Sequence, residues 1–202
     1  MQVPLLFTAA LCSVAISYWR AQDRAIWVFE AVAVLIGVPL LFLTRHAFPL
    51  TPLLYWLFFL HAQLLLMGAH YTYAEVPFGN WLRRHLRLSR NPYDRIGHFA
   101  QGFVPAILLR ELILRTSDLG RGWWLPVLVV ASCLGFSAFY ELIEWRIAVA
   151  RHETPEKFLS TQGDPWDTQW DMCCALVGAI SSLCLLSRRH DLQLLAMGIP
   201  LR

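Results

Sequence analysis

Leu53-Leu54-Tyr55-Trp56-Leu57-Phe58-Phe59-Leu60-His61-Ala62-Gln63-Leu64-Leu65-Leu66-Met67-Gly68-Ala69 runs without an Asp, Glu, Lys or Arg. Pro49 and Pro52 mark the turn before it, and His70 opens a polar segment after it. A helix of about 20 apolar residues is what crosses the hydrocarbon core of a bilayer. Working outward, further apolar runs extend over about 3–19, 25–43, 96–114, 123–144 and 171–187. The chain of 202 residues is 57% hydrophobic and only 15% charged, and its mean hydropathy is +0.47. A soluble domain is nearer a quarter charged. The reading is therefore all-α: one polytopic membrane helical bundle of about six transmembrane helices, spanning 1–202, with no soluble domain in its loops. Nine Trp and six Tyr suit the membrane interfaces.

The first span could be mistaken for a signal peptide. No Lys or Arg precedes it and no small-residue cleavage site ends it before Tyr18-Trp19-Arg20, so it reads as a retained helix. Pro39 is expected to kink the second span, and Arg188-Arg189-His190 to stop the last. Cys12, Cys133, Cys173, Cys174 and Cys184 all fall in apolar runs, are odd in number and form no CxxC pair. They read as small buried residues rather than a zinc or disulfide framework. The net charge of +3 carries no nucleic-acid motif. With six spans, Lys and Arg divide ten against six between the two sides, placing the long loops in the cytoplasm and both termini outside. Much of that bias comes from Trp81-Leu82-Arg83-Arg84-His85-Leu86-Arg87-Leu88-Ser89-Arg90, which suits a short amphipathic helix at the headgroups: a surface anchor or a patch for lipid or nucleotide phosphate.

The polar residues cluster. Asp94, His98 and Gln101 share one helical face at the start of the fourth span, Glu141 and Glu144 share a face at the end of the fifth, and Asp164, Asp167 and Asp171 precede or open the last. Asp164 reads as a helix cap with Pro165 in the first turn. Topology brings these three segments to one membrane face. Carboxylates there are costly unless neutralised. Arg95, Arg146, protons or a divalent metal could do so, and a hard cation suits several carboxylates with an imidazole. Asp94, His98, Glu141, Glu144, Asp164, Asp167 and Asp171 are thus the candidate metal ligands, and His98, Glu141 and Glu144 the candidate catalytic groups. The alternative is a structural network tying helix ends together. Cys174, Ala175, Gly178 and Ser182 lie below the aspartates and would admit a close neighbour. His61 and Gln63 read as helix-to-helix hydrogen bonding, His70 and Glu75 as supports of the cluster, and Arg110 and Glu111 as interface anchors or ion-pair partners.

Tyr71-Thr72-Tyr73-Ala74-Glu75-Val76-Pro77, Tyr93-Asp94-Arg95-Ile96-Gly97-His98-Phe99, Tyr140-Glu141-Leu142-Ile143-Glu144-Trp145 and Gln162-Gly163-Asp164-Pro165-Trp166-Asp167-Thr168-Gln169-Trp170-Asp171-Met172 resemble blocks of the YjdF-like bacterial inner-membrane proteins. That resemblance implies a multi-pass inner-membrane protein and carries no biochemical activity. The order of acidic helix ends is also similar, more remotely, to VanZ-like membrane proteins. Gly163, Asp167 and Asp171 match the second half of the CDP-alcohol phosphotransferase signature, whose first half is absent. Three functions follow as expectations: a metal-dependent enzyme acting on a lipid or lipid-linked phosphate, an ion or small-solute transporter, and a non-enzymatic scaffold. Membrane lipids are the expected partners, and nucleic acid is not.

Overall fold

The apolar stretch around Leu53 is a helix, bounded by Pro52 at its first turn and by Tyr71, because proline has no N–H to lose there. It is α4 in a computed structural model that describes residues 2–151 and 162–201. Lys157 and Arg202, counted above in the loop charge, lie outside the described residues. In chain order the helices are α1 (Gln2–Trp19), α2 (Arg24–Glu30), α3 (Val32–Thr44), α4 (Pro52–Tyr71), α5 (Pro77–Leu86), α6 (Tyr93–Thr116), α7 (Trp124–Arg151) and α8 (Asp167–Ala196), with a 3-10 turn at Tyr73–Glu75. No strand occurs among the described residues.

By length and composition α4, α7 and α8 can each cross a membrane, and the α2–α3 pair makes a fourth span, bent by 48°. The bend lies at Ala31 and not at Pro39, which sits inside α3. Ala31 ends one hydrogen-bond ladder by donating to the Trp27 carbonyl and starts the next by accepting from Val34 and Leu35. The apolar part of α1 is shorter, Val3–Trp19. It packs along α4: Phe7 meets Leu54 and Tyr55, and the Ser17 hydroxyl donates to the Leu66 carbonyl at 2.7 Å.

Helix α6 is the centre of the bundle and packs along α4, α7 and α8. Its apolar sequence is interrupted by Asp94, Arg95, Arg110, Glu111 and Arg115. It tolerates them because α8, the flanking loops and α6 itself supply partners. In lipid, apolar faces gain little by meeting each other, so close backbone approach does more of the work. A Cβ on Gly102 would overlap the Ala175 carbonyl, and one on Gly178 the Phe99 carbonyl. The expected small-residue face of the last helix therefore packs as read, with Ala175, Gly178 and Ser182 buried.

Three expectations need correction. Arg188-Arg189-His190 does not end α8, which continues to Ala196, because His190 is fully buried against α6 rather than facing water. The fifth helix likewise runs past Glu144 to Arg151. Helix α5 stops at Leu86, and Arg87 caps it in the left-handed region at φ 53°. The short amphipathic helix read in this run is therefore present but ends before Arg87 and Arg90.

Candidate functional site

The site begins where the chain turns into α6. Asn91 is fully buried and fixes that turn: its side-chain amide donates to the Ala74 and Val76 carbonyls at 2.9 and 3.1 Å, and its side-chain oxygen accepts from the Tyr93 N–H at 3.0 Å. Gln162 joins the second loop to it, accepting from the Asn91 N–H and donating to the Asn91 carbonyl. The two polar segments are thereby bound together over the ends of α6 and α8.

Arg90, counted in the sequence as a surface arginine, is buried. It pairs with Asp167, lies 3.4 Å from Asp94 Oδ2 and 3.8 Å from Asp164 Oδ2, while Arg95 holds Asp164 at 2.5 Å. Asp164 is not the cap of α8. Its Oδ1 accepts the Trp166 N–H at 2.9 Å, closing a turn ahead of the helix. That bond, aided by Arg95, holds its carboxyl below the usual range.

Deeper along α6 the partners run out. His98 Nε2 lies 3.7 Å from Asp94 Oδ1 and 3.6 Å from Glu141 Oε1, both beyond a hydrogen bond. Glu141 Oε2 accepts from the Thr168 hydroxyl at 3.0 Å. His98 Nδ1, Glu141 Oε1 and Asp171 Oδ1 are buried with no partner among the described residues. Each such atom costs about 1–3 kcal/mol, and an orphan of this kind calls for a bound ion or water. Asp94, His98 and Asp171 each offer a ligand atom, all within 4.8 Å of one another. Ligand atoms around a cation with bonds of about 2.1 Å lie roughly 3–4 Å apart, so a small closure suffices.

Beside this trio lies a cavity of about 110 Å³ between α2–α3, α4, α6 and α7. Asp94, His98, Gln101 and Glu144 line it from the predicted set. Of the seven candidate ligands, Asp94, His98 and Asp171 gather at ligand distance, Glu141 adjoins His98, Glu144 faces the cavity, and Asp164 and Asp167 face guanidinium groups. His61 lines the cavity with Nε2 unpartnered, not bonded to a neighbouring helix as expected. Glu75 is exposed and no support of the cluster, and His70 Nδ1 instead meets the Ser17 carbonyl at 2.8 Å. Glu30 and Tyr73 complete the wall and were not singled out in the sequence. A lone acid within an apolar span was the available signal for Glu30.

A second polar network occupies the far end of α6. Glu111 is fully buried and accepts from the Thr51 hydroxyl at 2.8 Å and Arg115 at 2.7 Å, with His190 Nε2 at 2.9 Å. Arg110 reaches His190 Nδ1 at 2.8 Å and Asp191 at 2.6 Å. Arg110 and Glu111 are thus core ion-pair partners and not interface anchors.

A bundle of apolar helices around a central helix that carries buried charged groups is the build of a polytopic integral membrane protein. The chain belongs to the family described as predicted membrane protein (DUF2238), whose model matches residues 3–192. It is 48% identical over 179 residues to the inner membrane protein YjdF of Escherichia coli (strain K12), covering 89% of this chain and 86% of that one. The expected family is the one obtained, and the chain is a multi-pass protein of a bacterial inner membrane. No solved structure matches it.

Proposed function

We propose that the chain is a metal-dependent membrane enzyme acting on a lipid or lipid-linked phosphate, with a divalent cation held by Asp94, His98 and Asp171. The observation that carries this reading is the approach of those three ligand atoms to within 4.8 Å of one another. Two carboxylates and an imidazole suit a hard or borderline divalent ion. Such an ion would offset charge on phosphate oxygens and lower the pKa of a bound water. Glu141, with Oε1 unpartnered 3.6 Å from His98 Nε2, is the general base in this reading. Arg90 and Arg95 act indirectly, holding Asp94, Asp164 and Asp167 in register.

The test is phosphate or headgroup release from phosphatidic acid and an isoprenyl diphosphate in mixed micelles supplied with Mg²⁺ or Mn²⁺. Wild-type protein turns one of them over, and Glu141→Gln, still folded, loses about 100-fold or more. Turnover of neither substrate by metal-loaded protein, or full activity in Glu141→Gln, overturns the reading. A second reading, an ion path, is favoured by the unpartnered Glu30 Oε2 and His61 Nε2 inside the bundle. Proton or cation flux in liposomes that disappears in His61→Ala would support it.

A further inference from the structure

We infer that the cavity beside the metal trio receives an ammonium group, and that the lipid entering this site is an amine-bearing one. The naming of a lipid rests on the reading above; the ammonium site does not.

Most of the acidic side chains around the cavity face a cation, a hydroxyl or the trio. Asp94, Asp164 and Asp167 face Arg90 or Arg95, Glu141 has Thr168, and Asp171 belongs to the trio. Glu30 and Glu144, which line the cavity from α2 and α7, have no ion pair or hydrogen bond among the described residues, and Glu30 Oε2 is buried and unpartnered. His98, itself only 6% exposed, also lines the cavity with Nδ1 unpartnered. Two acids without a cation, close to three that face guanidinium groups, leave a vacancy for positive charge.

The walls select the kind of cation. Only Asp94, His98 and Asp171 gather at metal-ligand spacing among the described residues, so Glu30 and Glu144 are not a second metal site of that kind. The rest of the lining includes Tyr73, Tyr140, Ala33 and Leu65. Aromatic faces and apolar carbon suit an organic ammonium, which carries its charge on a short carbon stem, better than a hydrated inorganic ion.

The entry route points to a lipid. Helix α7 packs along α6 and α8, while α2 and α3 pack along α4. The seam between α2 and α7 is bridged by the stacked rings of Phe29 and Tyr140, 6.1 Å apart. Val28, Phe136 and Phe139, on the two helices flanking that seam, are exposed. An acyl chain can stay against these outer faces while the headgroup passes the ring pair, its amine reaching Glu30 and Glu144 and its phosphate reaching the trio next to them.

The experiment is native mass spectrometry of the full chain in detergent with EDTA, titrated with phosphatidylethanolamine and phosphatidylglycerol of matched acyl chains. The wild type is expected to prefer phosphatidylethanolamine by about tenfold, and Glu30→Gln/Glu144→Gln to bring the two near parity. Because EDTA removes any divalent ion, a preference seen under these conditions separates this inference from the metal reading. In the wild type, free ethanolamine should compete with the bound lipid and ethylene glycol should not, a check that needs no variant to fold. Equal binding of the two lipids by the wild type, an undiminished preference in the double variant, or equal competition by the two small molecules overturns the inference.

Discussion

The two ends of α6 place charged groups in the same helix, and the bundle treats them in opposite ways. At the Glu111 end each group meets a partner: Thr51, Arg115 and His190 on the carboxylate, His190 and Asp191 on Arg110. At the Asp94 end, His98 stands between two carboxylates at 3.6–3.7 Å and bonds to neither, and Asp171 makes no hydrogen bond among the described residues. The cavity lined by Asp94 and His98 lies against these orphaned atoms, whereas the clefts beside Arg110 and Arg115 meet groups that are already paired. A closed network fastens helices, whereas a network with orphaned atoms beside a cavity is arranged around something it binds.

The largest effect should come from breaking the closed end. Glu111→Gln removes the charge facing Arg115 and His190, and about 3–5 kcal/mol of stability should go with it. Reversible unfolding in mixed micelles measures this, and a stability equal to wild type would remove the distinction between the two ends. Next, Gly178→Ala puts a methyl into the Phe99 carbonyl and forces α8 from α6, at about 1–3 kcal/mol. It should also loosen the trio, because Asp171 rides on the same helix. The smallest effect is at the loop. Asp164 is held below its ordinary pKa of about 3.9 by the Trp166 N–H and Arg95. A depressed carboxyl stabilises the fold above its unfolded pKa, and that contribution is lost as pH falls through the folded value. Asp164→Asn should therefore lower the melting midpoint at pH 7 and converge with wild type below about pH 4.

Much of this was legible in the sequence, and its limits have physical causes. The stretch from Leu53 to Ala69 needed only length and apolarity, and α4 extends it by a residue or two at each end. Asp94, His98 and Asp171 were legible because helical spacing and topology bring them to one face. Their separation from Asp167 was not, since it depends on Arg90 turning inward, and a run rich in arginine reads as surface. His190 reads as a stop signal because burial of a polar residue depends on its partner, here Arg110 and Glu111, 80 and 79 residues away. The break at Ala31 leaves no mark in an apolar run, whereas Pro39, the visible signal, sits inside a continuous α3.

The most direct measurement is the metal content of the detergent-purified protein by elemental mass spectrometry, for wild type, Asp171→Asn and Asp191→Asn. The predicted result is about one divalent ion per chain in the wild type and in Asp191→Asn, where the change falls in the closed network, and none in Asp171→Asn. Because Asp171 is buried with no hydrogen bond to lose, removing its charge should leave the metal-free protein no less stable than wild type. A wild type without metal after growth and purification with Mg²⁺, Mn²⁺, Fe²⁺ or Zn²⁺, or a metal content unchanged in Asp171→Asn, would contradict the assignment of the open end as a metal site.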